Sequence, residues 1–186
     1  MESFSYEVSP ASSNSPATFL ETLVNNDIVA LHDLKNSISP EAIEQAVTLL
    51  QEAETIYVLG QLRSFSVAYN IRYLLLYLRQ NVRLLDGSGG LATEEAELMS
   101  EKSLLVAVSF RYYAREVVDI VEGTARKNIP ILAITDSQLS PLNKHATCSL
   151  VVPGAGHKFS YSLAASMCLA QSLIISIASR LQIEGS

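Results

Sequence analysis

Apolar residues change their spacing part-way along this 186-residue chain. From residue 18 to residue 53 they recur three or four apart, the period of a helix with one buried face. Phe19, Leu20, Leu23 and Val24 form one stripe and predict a helix beginning near Thr18. A second helix is predicted from about residue 26 to residue 35. At Ser39-Pro40 the signal is sharper: Ser39 is suited to the N-cap, Pro40 to the first helical position, and Glu41 and Glu44 to the first turn. Ile43, Val47 and Leu50 then share one face of a helix ending near Ala53. Beyond residue 55 short, continuous apolar runs take over. Residues 55–59 (TIYVL), 82–85 (VRLL), 103–108 (SLLVAV), 130–135 (PILAIT) and 148–152 (CSLVV) predict five strands. Helical patterns separate and follow them, over residues 64–79, 91–99, 112–127 and 160–181, with a short helix capped at Ser140-Pro141.

Strands that are apolar on both faces and alternate with helices indicate a parallel sheet covered on both sides. Right-handed crossovers leave few arrangements for five such strands. The expected fold is α/β: a doubly wound, flavodoxin-like five-stranded parallel sheet of order 2-1-3-4-5, flanked by helices. Three segments are expected: a Ser/Pro/Asn-rich tail or linker (1–16), an N-terminal helical arm (17–54) and the α/β domain (55–186). The closing helix is long enough to span a membrane, but it carries Ser160, Ser162, Ser166, Gln171, Ser172, Ser176 and Ser179. It is expected to be buried, and no membrane contact is expected.

Composition refines this picture in two places. The net charge is −6, yet residues 1–55 hold nine acidic residues and one basic one, a net −8, which leaves +2 on the remainder. An acidic arm therefore precedes a slightly basic body. No Lys/Arg run is dense enough to neutralise a line of phosphates, so nucleic-acid binding by this chain alone is not expected. Cys148 and Cys168 form no CxxC, and His32, His145 and His157 show no metal-ligand spacing. Two buried thiols in a reducing cytoplasm are expected, and no metal. The N-terminus lacks the basic and apolar regions of a signal peptide.

In an open α/β sheet, ligands bind beyond the carboxyl ends of the strands where strand order reverses. In a 2-1-3-4-5 order the two loops at that point are Gly60-Gln61-Leu62-Arg63-Ser64 and Ser109-Phe110-Arg111-Tyr112-Tyr113. Each joins a buried strand to a helix, offering backbone N–H groups and the positive end of a helix dipole to an anion. Arg63, Arg111 and Arg115 supply planar forks for phosphate or carboxylate, and Ser64 and Ser109 supply hydroxyls. Ser137, in the loop after the fourth strand, is a further candidate, as are Gly60, Tyr112, Glu116 and His157. The alternative is that Ser64 merely caps its helix, the arginines lie in solvent and Glu116 only favours a helix dipole. A nicotinamide cofactor is not expected, because strand 1 is followed by GQLRS rather than GxGxxG. The Walker pattern is also absent, so no cofactor is expected.

The loop ending in Ser64, the loop opening with Ser109, and the segment Ala133-Ile134-Thr135-Asp136-Ser137…Ser140-Pro141-Leu142 together resemble the sugar isomerase (SIS) domain. The resemblance spans about residues 40–183 and is strongest to the SIS domains of RpiR-type bacterial transcription regulators. VSFRYYARE (108–116) is similar to a subgroup with a related Arg/Tyr-rich loop. Two departures stand out. The family's GxGxS becomes Gly60-Gln61-Leu62-Arg63-Ser64, with Leu62 in place of the second glycine. Its SxSGxTxE keeps Ser109 and Glu116 but has Arg111, Tyr112 and Ala114 for the second serine, the glycine and the threonine. The resemblance implies a domain that binds a phosphosugar or sugar acid; either guanidinium groups take over from the missing hydroxyls, or the ligand is not a typical sugar phosphate.

Three functions follow as expectations. The first is a small-anion-sensing effector domain of an RpiR-type regulator. Such a domain would assemble as a homodimer or homotetramer in the cytoplasm and meet DNA only through a helix-turn-helix domain that these residues lack. The second is an aldose–ketose sugar-phosphate isomerase, for which Glu97, Glu116 and His157 are the available acids and bases. The third is a structural dimer whose crevice is filled by Tyr112 and Tyr113. No residue is assigned as catalytic.

Overall fold

The computed structural model describes residues 15–154, 156–157 and 160–184. Five strands form a parallel sheet: β1 (Thr55–Gly60), β2 (Val82–Leu85), β3 (Ser103–Ser109), β4 (Ile131–Thr135) and β5 (Cys148–Val151). Their order is β2-β1-β3-β4-β5, the expected doubly wound arrangement. The register pairs Gly60 with Val108 and Ser109 with Thr135, so β1, β3 and β4 finish at one edge. Residues 104–108 of β3 alternate between two cores. Leu104, Val106 and Val108 face the core shared with the N-terminal and C-terminal helices, while Leu105 and Ala107 face the other.

Helices α1 (Pro16–Ser37), α2 (Pro40–Glu52), α3 (Ser64–Tyr77) and α6 (Ala164–Glu184) cover the first face. Helices α4 (Ala92–Glu97) and α5 (Arg115–Arg126) cover the second. Ser39 caps α2 by accepting the Ala42 N–H, with Pro40 at the first position, as the sequence pattern predicts. Ala46, Val47 and Leu50 of α2 are buried. Gln45 reaches the Thr147 carbonyl, and Arg180 of α6 donates to both Gln51 and Glu44. These bonds fasten α2 to the strand edge on one side and to α6 on the other.

Four local features differ from the sequence-based expectation. The two helices expected between residues 18 and 35 are one continuous helix, α1, capped by Ser15 and started by Pro16. No glycine or proline interrupts it, and Asn25-Asn26 is too weak a breaker to end it. Pro16, expected in the tail, is therefore helical; the rest of that tail, residues 1–14, lies outside the described residues. The helix expected from Tyr112 starts instead at Arg115, because Arg111 and Tyr112 have positive φ. The closing helix starts at Ala164, and a two-residue hairpin of β6 (Gly156–His157) and β7 (Ser160–Tyr161) precedes it. Finally, Cys148 is buried but Cys168 is exposed. The inward face of α6 runs through Ala165, Leu169, Leu173 and Ile177, which leaves residue 168 turned away from the core.

By length and composition α6 could cross a membrane. In this structure it packs on α1, α2 and α3, with Gln171, Ser172 and Ser179 on the exposed side. It is a core helix of the α/β domain.

Candidate functional site

Order reverses between β1 and β3, where an open α/β sheet has its crevice, and three loops surround that point. The first runs from Gly60 to Ser64. Gly60 is buried at the end of β1, where an added Cβ would meet Ala68 Cβ at 2.7 Å and the Ser64 carbonyl oxygen at 2.9 Å. Only glycine lets α3 lie this close to the strand. Leu62 follows with φ +54, Arg63 takes the N-cap position and is exposed, and Ser64 is buried as the first residue of α3. Ser64 is thus more than a helix start: its Oγ accepts the Phe110 N–H across the crevice at 3.1 Å.

The second loop joins β3 to α5. Ser109 is buried at the end of β3, and its carbonyl accepts the Thr135 hydroxyl at 2.9 Å. Arg111 and Tyr112 adopt φ +27 and +69. Such backbone costs a non-glycine residue about 1–2 kcal/mol. The Arg111 guanidinium lies 5.1 Å from the centre of the exposed Tyr112 ring. Arg115 opens α5, but its side chain is 94% exposed and pairs with Asp119 one turn on, so it sits at the mouth rather than in the crevice. Glu116, in the first turn of α5, accepts a hydrogen bond from the Gln61 amide of the first loop.

The third loop follows β4. Asp136 links it to the second: Oδ2 accepts the Arg111 N–H and Oδ1 the Tyr113 hydroxyl, each at 2.9 Å. Partial burial, and then this bond, push the Tyr113 phenol above its ordinary pKa. Ser137 accepts the Leu139 N–H through Oγ and the Asn143 amide through its carbonyl, so both its oxygens hold the turn together. Ser140 caps the short 3-10 helix Pro141–Lys144. The His157 backbone lies in β6; its side chain lies outside the described residues.

Nine of the ten candidate residues therefore fall on these three loops or on the helix starts that follow them, and Ser64, Arg111 and Glu116 are joined by cross-loop hydrogen bonds. Of the residues that tie the loops together, Gln61 and Asp136 are not among the sequence-predicted candidates, and Tyr113 is expected only to line or fill the crevice. Asp136 had a usable signal. It is an acid one residue past a buried strand, opposite a loop rich in donors. Among the described residues no group of three or more His, Cys, Asp or Glu side chains is placed to hold a metal.

A doubly wound parallel sheet with three loops gathered at its reversal point places this chain in the class of open α/β domains, whose ligands bind at that point. The family model for the SIS domain matches residues 49–176, and the chain belongs to that family. It is 25% identical over 144 residues to the HTH-type transcriptional regulator HexR of Pseudomonas aeruginosa, an alignment covering 77% of this chain and 50% of HexR. The chain thus spans about half the length of that relative. Its fold is similar to the sugar isomerase domain of an RpiR transcription factor from Sphaerobacter thermophilus, with TM-score 0.84 and 29% identity over 88% of this chain and 91% of that one. It is also similar to the Vibrio vulnificus NanR protein complexed with ManNAc-6P, with TM-score 0.78 and 22% identity over 87% and 62% of the two chains.

The two positions where the family pattern has glycine, Leu62 and Tyr112, both keep positive φ here. This is a backbone shape that glycine adopts easily, held here by bulky residues.

Proposed function

We propose that this domain is the effector-sensing part of an RpiR-type transcription regulator, and that its crevice binds a small anionic sugar derivative, either a phosphosugar or a sugar acid. The observation that carries this reading is the crevice itself. Two helix N-termini, α3 and α5, open from loops bearing Arg63 and Arg111, and a hydrogen-bonded framework fixes their spacing. Helix N-termini and guanidinium forks favour phosphate and carboxylate. The similarity to HexR and to the RpiR sugar isomerase domain supports the regulatory half of the proposal, and the ManNAc-6P complex of NanR supports the ligand class. DNA contact would belong to a helix-turn-helix domain, and the location would be the cytoplasm. No cofactor or metal takes part.

A thermal-shift screen of hexose and pentose phosphates and sugar acids tests the proposal. A ligand at 100 times its Kd adds about 2.7 kcal/mol, or roughly 5–10 °C for a domain of this size. Arg111→Ala should abolish most of that gain. If no member of the screen stabilises the domain, or if the gain survives Arg111→Ala, the reading fails.

One observation favours an isomerase as the second reading: Glu116 lies in the first turn of α5, beside the crevice. Against it, Glu116 is already engaged by Gln61. Turnover in a coupled isomerase assay that is lost in Glu116→Gln would favour the enzyme.

We also propose self-assembly into a homodimer or homotetramer. Phe65, Tyr69, Tyr73 and Tyr77 form an exposed stripe at four-residue spacing along α3, and Leu20, Ile28 and Val29 are exposed on α1. Apolar surface of this extent on a soluble domain marks a contact site. Sedimentation equilibrium should give a dimer or tetramer, and Tyr73→Glu should shift it toward monomer.

A further inference from the structure

Two successive amides head the loop between β3 and α5, and side chains of this same chain take both. The Phe110 N–H goes to Ser64 Oγ, and the Arg111 N–H goes to Asp136. Asp136 also receives the Tyr113 hydroxyl. One carboxylate is therefore held by a backbone amide and a phenol from a single turn, at Arg111–Tyr112, whose φ values are both positive. Consecutive N–H groups in such a turn, ahead of a helix N-terminus, are the donor set that proteins use to hold an anion. Here the neutral Ser64 hydroxyl takes the first of these amides and the Asp136 carboxylate takes the second.

We propose that Asp136 occupies the anion position of the β3–α5 loop and thereby sets the specificity of the crevice. This rests on the crevice being the ligand site. The Arg111 amide is already given to Asp136, and a ligand's negative group placed beside that carboxylate is repelled by it, so the ligand must displace the carboxylate to take the amide. Charge-assisted bonds from the Arg111 amide and the Tyr113 hydroxyl hold the carboxylate against displacement. Compact anions that offer nothing else are therefore disfavoured at this point. A sugar derivative fits better. Its hydroxyl can donate to a remaining lone pair of Asp136 while its charged group is met by arginine from these loops. The crevice thus asks for a hydroxyl donor and an anion held apart on one ligand.

Inorganic phosphate is the probe, because it carries the charge without the polyol. The whole chain, labelled with 15N, is titrated with phosphate at constant ionic strength, and the Arg111 amide resonance is followed. Wild type should show no saturable shift until phosphate is about tenfold more concentrated than Asp136→Asn requires. Tyr113→Phe, which removes one of the two bonds seating the carboxylate and leaves the charge, should fall between, about threefold tighter than wild type. The remaining amide resonances report whether each variant is folded, and Tyr113→Phe alone decides the matter if Asp136→Asn is not. Phosphate binding in the variants that is equal to wild type, weaker or absent overturns the proposal. A failed sugar screen would sink the effector reading without touching this result, since the titration reads the loop directly.

Discussion

The two loops that form the crevice look equivalent in the sheet and are held in different ways. The β1–α3 loop is fixed by packing: Gly60 lets α3 press on β1, and Ser64 is buried at the helix start. The β3–α5 loop is fixed by charge: its positive-φ turn is exposed, and one carboxylate, Asp136, ties down an amide and a hydroxyl. Each arrangement suits its task. A packed loop is a fixed reference, because close-packed atoms have no second arrangement of similar energy. A loop held by exposed hydrogen bonds can exchange its internal partner for a ligand. Ser64 joins the two, since its Oγ holds the first amide of the second loop.

The largest effect tests the packed loop. Gly60→Ala puts a Cβ within 3 Å of Ala68 Cβ and of the Ser64 carbonyl oxygen, which belongs to backbone that cannot rotate aside. Overpacking of this kind costs about 1–3 kcal/mol, and the backbone clash places this case near 3 kcal/mol by urea unfolding. A loss below about 1 kcal/mol would mean that the first loop yields as readily as the second. Next comes the junction. Ser64→Ala leaves the Phe110 N–H without its acceptor, at a cost of about 1–3 kcal/mol. Amide exchange at Phe110 should accelerate more than exchange at its neighbours.

The contrast between the loops also explains what was legible in the chain. Sheet order, both cores and the reversal point follow from apolar runs such as Ser103–Ser109 and from helical spacing such as Val117, Ile120, Val121 and Thr124. Burial of a whole run leaves its mark on every residue. The positions of Ser64 and Ser109 were legible for the same reason, because each ends or begins a buried element. The positive φ of Arg111 and Tyr112 was not legible, since no propensity places two bulky residues there. The turn's partner Asp136 is 25 residues away from Arg111 and meets it only once β3 and β4 pair. The merging of two predicted helices into α1 is the opposite case, in which a weak local signal at Asn25-Asn26 is overridden by a continuous helical pattern.

A smaller effect tests the charged loop. Asp136→Ala removes the acceptor from the Arg111 N–H and the Tyr113 hydroxyl, but both are exposed enough to turn to water. The expected loss is about 1 kcal/mol. The Tyr113 phenol should titrate lower in this variant, by the part of its upward shift that the Asp136 bond supplies beyond burial. The sign follows from that shift. A phenol whose folded pKa is raised contributes stability that is fully present below its ordinary value of about 10, and this is lost as pH rises through the folded value. The stability difference between wild type and Tyr113→Phe should therefore be constant near neutrality and shrink only in alkali, as followed by urea unfolding from pH 7 to pH 11.

The smallest effect separates the loops at their two glycine-like positions. Leu62 and Tyr112 both hold positive φ, at +54 and +69. Replacing either with glycine removes about 1 kcal/mol of backbone strain and adds about as much freedom to the unfolded chain. The balance is then set by what each side chain touches. The Leu62 side chain is exposed, so Leu62→Gly should lie within about 0.5 kcal/mol of wild type. Tyr112 lies under the Arg111 guanidinium at 5.1 Å, a contact worth about 0.5–1 kcal/mol at an exposed site. Tyr112→Gly should therefore be the less stable of the two by about that amount. Equal stabilities would show that the ring does not help to seat Arg111, leaving Asp136 to hold the charged loop without it.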